Sequence, residues 1–306
     1  MTGLTMDSRS LLLALALFAC KAHAKLNVVA TLPSYGAIAE EIGGDKIKVT
    51  SIARGTEDPH FVDARPSFIR VLNQADVLIE GGSELEIGWL PPLVNGARNG
   101  KILADAPGHI VLSQSVQLRE VPTGALDRSM GDVHPLGNPH FSFDPANGKA
   151  IAQVLAGAFI KLDGANEAFY RANLEKFTGA LELRLAGWTK KLEPYRGTKV
   201  ATYHKSMDYF LDRFGLVLVG TVEPKPGIEP SPSYVTALIP RLKGEGVKLV
   251  LIEPYRPRKT PEYIADAVGA KLVQIAVEVN GNEKVKDYLG LFEHAVSQIA
   301  SALASP

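Results

Sequence analysis

The sequence contains a single cysteine among 306 residues, Cys20. One thiol cannot form a disulfide within the chain, and it cannot supply a multi-thiolate metal site. Beyond the first 24 residues no apolar run approaches the ~18 residues of a membrane-spanning helix. Basic and acidic residues balance at 33 each, so no charge excess favours nucleic acid or an anionic membrane as partner. His-rich tracts, Asp-rich tracts and short-period repeats are also missing.

Residues 1–24 have the pattern of a secretory signal peptide. The apolar run "LLLALALFA", residues 11–19, is too short to span a bilayer and is followed by "AHA" at residues 22–24. We therefore expect an exported, periplasmic protein whose mature chain starts at Lys25. The alternative is lipid anchoring at Cys20, since "LFAC" loosely resembles a lipoprotein box, with Phe18 where a small residue is expected.

Short β-rich apolar runs alternate with helical patterns in both halves of the chain, which is typical of parallel sheets covered by helices. The sequence therefore predicts an α/β fold of two lobes, each with a small parallel sheet flanked by helices. The runs that we interpret as strands are residues 26–32, 47–53, 76–82 and 109–113 in the first half and 199–204, 216–222, 247–254 and 271–277 in the second.

One long helix is predicted between the two halves, over residues 166–195. Phe177, Leu181, Trp188 and other large apolar residues recur there at spacings of three to five, and no proline precedes Pro194. A rigid helix of this length would connect a first lobe at residues 25–165 to a second lobe at 196–306. Such a connection permits only limited movement of one lobe against the other.

Two loops in the first half place a histidine directly after a proline. His60 lies in "GTEDPHF" and His140 in "GNPHFSFDP". Proline fixes its own φ and restricts the preceding residue, so each loop loses little entropy when its histidine is held in place. A single loop histidine is usually a solvated side chain, but two such loops favour two imidazoles aimed at one metal ion.

His204 ends the first predicted strand of the second lobe, in "KVATYH". The carboxyl edge of an open parallel sheet is the usual place for ligands, so His204 is expected to face the cleft, although a buried structural histidine would fit the same position. Three imidazoles that converge between two lobes suit zinc. His134, six residues before His140, is either an auxiliary capture residue or a solvated loop side chain.

A carboxylate is expected as the fourth ligand, because its charge partly neutralises a divalent cation. Glu253, in "LVLIEPY", and Glu278, in "IAVEVNG", each follow a strand of the second half. Spacing alone leaves both open. Glu223, in the proline-rich stretch 222–234, borders the expected cleft and is a further carboxylate within reach.

These motifs resemble the zinc- and manganese-binding solute-binding proteins of bacterial ABC importers, known as cluster A-I. The resemblance covers the mature chain, from "VVATLPSYGAIAEEIGGD" through "DPH", "NPHFSFDP" and "TYHKSMDYF" to "DYLGLFEHAVSQIASAL". It implies two lobes joined by a rigid helix, with the metal between them.

The resemblance assigns metal ligation to His60, His140 and His204. The family's fourth ligand is an aspartate after the last strand, and Glu278 in "EVNG" occupies that place here. Manganese-selective relatives carry glutamate at the third position, so His204 favours Zn²⁺ over Mn²⁺.

The implied function is high-affinity binding of a divalent transition metal and delivery to the membrane permease of an ABC importer. We expect a monomeric, non-catalytic carrier with no nucleic-acid partner. The alternatives are a zinc-dependent hydrolase, with activated water on an open metal position, and a periplasmic metal chaperone. The hydrolase is disfavoured because no HExxH motif occurs.

Overall fold

The computed structural model describes residues 25–124, 131 and 134–304. The predicted signal peptide at residues 1–24, with Cys20, lies outside the described residues. Within the described ranges no helix combines the length and the apolar character needed to cross a membrane.

The described residues form two four-stranded parallel sheets, so the predicted α/β fold class is confirmed. The strands are β1 Leu26–Ala30, β2 Ile47–Ser51, β3 Val77–Glu80, β4 His109–Val111, β5 Lys199–Thr202, β6 Val217–Thr221, β7 Leu249–Ile252 and β8 Lys271–Gln274. Each predicted strand is present but shorter than its apolar run. The trimmed residues continue into the loops at the sheet edges.

The two sheets share one topology. Their strand orders are β2-β1-β3-β4 and β6-β5-β7-β8, so in each sheet the chain crosses to the other side after its second strand. Such a reversal leaves a crevice at the carboxyl ends of the strands, where open α/β sheets bind ligands.

Nine helices lie within the described residues. They are α1 Pro33–Gly43, α2 Pro66–Asn73, α3 Leu90–Ala97, α4 Asn147–Leu162, α5 Glu167–Leu192, α6 Asp208–Phe214, α7 Pro232–Glu245, α8 Lys259–Val268 and α9 Tyr288–Ala304. Local sequence explains several of their ends. In α7, the Ser231 side chain accepts a hydrogen bond from the Tyr234 N–H at 3.2 Å, Pro232 occupies the first turn, and Gly246 takes the left-handed conformation after the last turn.

Helix α5 is the predicted linking helix. It contains 26 residues, which corresponds to about 39 Å at 1.5 Å per residue. Phe177, Leu181 and Trp188 are buried along it, as the spacing predicted. We propose that the first lobe ends at residue 165 and the second lobe begins at residue 196, on either side of this helix.

One continuous apolar core joins both lobes to α5. Phe292 in α9 is its centre, since its ring centroid lies 5.6 Å from Phe143 of the first lobe, 6.5 Å from Phe210 of the second and 5.6 Å from Trp188 of α5. Close aromatic packing of this kind stabilises by area burial and by ring geometry. The C-terminal helix therefore holds the two lobes together although it follows the second lobe in sequence.

Phe292→Ala is expected to lower the free energy of unfolding by about 3–5 kcal/mol, because it leaves a cavity at the meeting point of both lobes. Urea denaturation of the metal-free protein measures this change. Leu183→Ala, at a position of α5 that is 77% exposed, is the control and should change stability by less than about 0.5 kcal/mol. Equal losses in the two variants would contradict the central position of Phe292.

Candidate metal centre

The structure brings His60, His140 and His204 together. Each offers a ring nitrogen, and the three nitrogens lie within 4.8 Å of one another. The ring centroid of His60 is 5.0 Å from that of His140 and 5.3 Å from that of His204. The shortest contact joins Nε2 of His140 to Nε2 of His204 at 3.1 Å. These side chains come from three separate loops at the carboxyl edges of the two sheets.

The two Pro-His loops use the same local device. The Asp58 side chain accepts a hydrogen bond from the backbone N–H of His60 at 3.1 Å, and the Asn138 side chain accepts one from the backbone N–H of His140 at 3.0 Å. Asp and Asn side chains stabilise such turns by a hydrogen bond with the backbone of the residue two positions further along the chain. The intervening proline fixes φ, so both histidines leave the backbone in a defined direction.

Asp58 also orients the His60 ring. Its Oδ1 lies 2.8 Å from His60 Nδ1, and although burial opposes ionisation, the contacts with His60 and Arg256 lower the pKa of Asp58 to about 2. An ionised carboxylate can only accept, so Nδ1 of His60 carries a proton and donates it. In the neutral imidazole this leaves the Nε2 lone pair directed at the centre.

His204 has the equivalent support from Glu223, on the loop after β6. Nδ1 of His204 and Oε1 of Glu223 form a very short hydrogen bond, and both side chains are buried. Burial raises the pKa of Glu223 to about 7. A cation bound at Nε2 of His204 would favour the carboxylate form, which accepts the Nδ1 proton. The structure thus places Glu223 behind a histidine, as carboxylates behind metal-binding histidines commonly are.

Arg256 links the two lobes behind this group. It follows β7 of the second lobe, yet its guanidinium lies 3.1 Å from Asp58 of the first lobe and 3.7 Å from Glu253. Tyr203 and Tyr255 lie 5.0 Å and 5.2 Å from it, within cation–π distance. Arg256 therefore joins the second lobe to the carboxylate that orients His60. Sequence reasoning missed Asp58 and Arg256, although Asp58 stands in the quoted "GTEDPHF" motif.

Burial keeps the imidazoles neutral. Loss of solvation, together with the proximity of His60, lowers the pKa of His204 to about 4 and the pKa of His134 to about 4, and moves the pKa of His140 well below its usual value. At neutral pH these rings therefore carry free lone pairs. This is the protonation state that a metal ion needs.

The two candidate carboxylates lie in separate polar contacts. Glu278 Oε2 accepts a hydrogen bond from the backbone N–H of Ser34 at 3.0 Å, and burial raises the pKa of Glu278 to about 7. Glu253 is fully buried and receives a very short hydrogen bond from Ser206. Among the described residues, the group of ligand atoms within 4.8 Å contains neither glutamate.

His134 approaches the group more closely than the sequence indicated. Its Nε2 lies 3.2 Å from Nε2 of His60, and its ring centroid is 5.3 Å from that of His60. The residue is half-buried rather than solvated. In the sequence, His134 lies six residues before His140, and nothing in that spacing predicts its contact with His60.

Several known metal-binding proteins resemble this chain. Residues 28–302 match the family model described as ZnuA, zinc-uptake complex component A, periplasmic. The chain is 25% identical over 289 residues to the manganese ABC transporter substrate-binding lipoprotein PsaA of Streptococcus pneumoniae, which covers 92% of this chain and 90% of that protein.

Solved structures also share the fold, and two of them serve as examples. A crystal structure of ZnuA superposes with a TM-score of 0.73 at 23% identity and covers 90% of this chain and 98% of that one. The solute-binding protein FpvC of Pseudomonas aeruginosa, in complex with Mn²⁺, superposes with a TM-score of 0.72 at 26% identity and covers 91% and 98%.

The depressed pKa of His204 predicts a pH-dependent stability difference in the metal-free protein. An unfolded histidine titrates near pH 6.5, whereas the folded value is about 4. The unfolded chain therefore binds more protons in this window, and stability falls as pH drops from about 6.5 to about 4.

His204→Gln removes this contribution, so the variant should gain stability relative to wild type as pH falls through that window. Urea denaturation of both proteins at several pH values measures the difference, in which the contributions of titratable groups that do not interact with residue 204 cancel. A difference that does not change with pH would contradict the depressed pKa.

Asp58→Asn is expected to weaken Zn²⁺ binding by about 10–100-fold, the usual loss when a residue that orients a ligand is changed. The neutral amide loses the ion pair with Arg256 and no longer imposes the His60 tautomer. Titration against a competing chelator measures the affinity. Asp63→Asn is the matched control, because Asp63 belongs to the same loop and its side chain is 90% exposed. Equal affinities in the two variants would show that Asp58 does not orient a ligand.

Proposed function

Since the chain belongs to the ZnuA family of periplasmic metal-uptake components, we propose that it binds one Zn²⁺ ion between its lobes and delivers it to an ABC importer. Its place is that of a solute-binding protein rather than an enzyme. The partner is then the membrane permease of the importer. We propose that it acts as a monomer.

The observation that carries this proposal is the convergence of three imidazoles from two lobes. His60 and His140 follow strands of the first sheet, and His204 follows β5 of the second. We propose these three residues as metal ligands. A cation bound to them would hold both lobes, so binding and closure of the cleft would be one event.

The donor atoms favour zinc over manganese. The relatives named above differ, since ZnuA is named for zinc, PsaA for manganese, and FpvC was solved with Mn²⁺. The choice between zinc and manganese therefore depends on the ligand atoms of this chain. Imidazole suits zinc, whereas carboxylate, carbonyl and water suit manganese. The described residues offer three imidazoles and no carboxylate within the 4.8 Å group.

Release of the ion would require the lobes to separate. Opening would draw Arg256 away from Asp58, and with it the support that orients His60. It would also break the hydrogen bond from the Tyr209 hydroxyl to the carbonyl of Asn138, 2.7 Å long, in the loop that carries His140. Lobe opening would thus weaken two ligands at once, which is what a carrier needs when it meets its permease.

The cellular location follows from the family and from the predicted signal. Relatives such as PsaA are named lipoproteins. We propose a periplasmic protein released by cleavage after Ala24, with lipid anchoring at Cys20 as the alternative. Mass spectrometry of protein recovered from cells would distinguish a chain that starts at Lys25 from one that retains a lipid-modified Cys20.

The mature protein is expected to bind one divalent ion per chain and to prefer Zn²⁺ over Mn²⁺, because its proposed ligands are imidazoles. Competitive titration with both ions, followed by metal analysis of the purified complex, measures the stoichiometry and the preference. Tighter binding of Mn²⁺ would contradict the zinc assignment. Failure to bind either ion would contradict the proposed function altogether.

A further inference from the structure

We propose that His134 is the fourth metal ligand, so that four imidazoles and no carboxylate hold the ion. The inference rests on the proposed function, because it concerns the same site. It replaces Glu278, the residue that the family resemblance favours for this position. Three observations carry it: the spacing of the ring nitrogens, the support of the His134 ring, and the contacts that Glu278 makes instead.

Two of the spacings between ring nitrogens match those of a tetrahedral site. Ligand nitrogens about 2.0–2.1 Å from a tetrahedral zinc ion lie about 3.3–3.4 Å from one another. Nε2 of His134 lies 3.2 Å from Nε2 of His60, and Nε2 of His140 lies 3.1 Å from Nε2 of His204. Each pair is therefore spaced as two ligands of one tetrahedral zinc ion are. The ring-centroid distance between His60 and His134, 5.3 Å, equals that between His60 and His204.

The His134 ring is held in the orientation of a ligand. The backbone of Ser83 forms a hydrogen bond with the imidazole. Because Nε2 faces His60, Nδ1 is the nitrogen left for this bond, as it is in His60 and His204. Ser83 lies in a turn where Gly82, Ser83 and Glu84 all have positive φ, of 76°, 54° and 64°. A non-glycine residue with positive φ costs free energy, so contacts with the surrounding structure must stabilise this turn.

Glu278 is engaged elsewhere. Its carboxylate accepts the Ser34 N–H in the first turn of α1, where the helix leaves N–H groups unsatisfied and favours negative charge. The next residue extends the same contact, since the Val279 N–H donates to Ser34 Oγ at 3.2 Å. A shift of the Glu278 carboxylate to the ion would break its hydrogen bond with the Ser34 N–H, whereas Nε2 of His134 has only to exchange its contact with His60.

Open space connects His134 to the other ligands. His134, His140 and His204 all line a cavity of about 160 Å³. His134 contacts only His60 among the three proposed ligands by a ring-nitrogen contact within hydrogen-bond distance. It does not belong to the group of His60, His140 and His204, whose ligand nitrogens lie within 4.8 Å of one another. Ion binding would therefore draw the ring inward from its position against His60.

Four nitrogen donors define the class of metal ion that the site would bind. They suit zinc and the later first-row divalent ions, cobalt, nickel and copper, and they disfavour manganese, which prefers oxygen ligands. The charge of the ion would be balanced by the carboxylates behind the histidines rather than by a ligand.

X-ray absorption at the zinc edge of the loaded protein counts the coordinated imidazoles directly. We expect four in the wild type, three in His134→Ala and four in Glu278→Gln. Chelator competition should show Zn²⁺ binding weakened more than about 100-fold in His134→Ala, beyond the usual loss for a residue behind a ligand. His294→Ala is the matched control, since it removes an imidazole that contacts Asn282 instead, and it should match the wild type in both measurements.

Three imidazoles with an oxygen ligand in the wild type would overturn the inference, and so would an unchanged imidazole count in His134→Ala. Loss of one light-atom ligand in Glu278→Gln alone would assign the position to Glu278. If His134→Ala does not fold, the wild-type count and His134→Gln decide the question. A wild type that binds no Zn²⁺ would refute the proposed function itself, which is a separate result.

Discussion

The ion pair between Arg256 and Asp58 is the contact on which the rest of the centre depends. Arg256 comes from the second lobe and Asp58 from the first, and Asp58 in turn orients His60. Both residues are half-buried, so the pair itself contributes little net stability, but removing one partner is destabilising because the other charge is left poorly solvated. The pair therefore makes the orientation of a first-lobe histidine conditional on the position of the second lobe.

The rings around Arg256 explain how a guanidinium can lie there. Tyr203, directly after β5, and Tyr255, in the turn after β7, lie within cation–π distance of it, and a guanidinium is weakly hydrated and stacks readily on aromatic faces. Glu253, fully buried behind it, provides a second carboxylate. Arg256 thus serves as the counter-charge to Asp58 and Glu253.

Neutrality of His140 and His204 is the second constraint. Buried, mutually close imidazoles repel protons, so protonation at low pH opposes the folded arrangement. The carboxylates that would compensate for a metal ion lie one step back, at Asp58 and Glu223, where they bond the outward nitrogens of His60 and His204. This division places lone pairs at the centre and negative charge around it.

Local patterns in the amino-acid sequence are enough to predict the parts of this protein that depend on neighbouring residues. The eight strands, the long helix Glu167–Leu192 and the two Pro-His loops were all visible, because side-chain alternation, helical spacing and proline geometry act over a few neighbouring residues. Only the tertiary structure decided the contacts of Arg256 with Asp58, of His134 with His60 and of Glu278 with Ser34. Each joins residues far apart in the chain, and their distances depend on how the two sheets are held by α5 and α9, which no local pattern specifies.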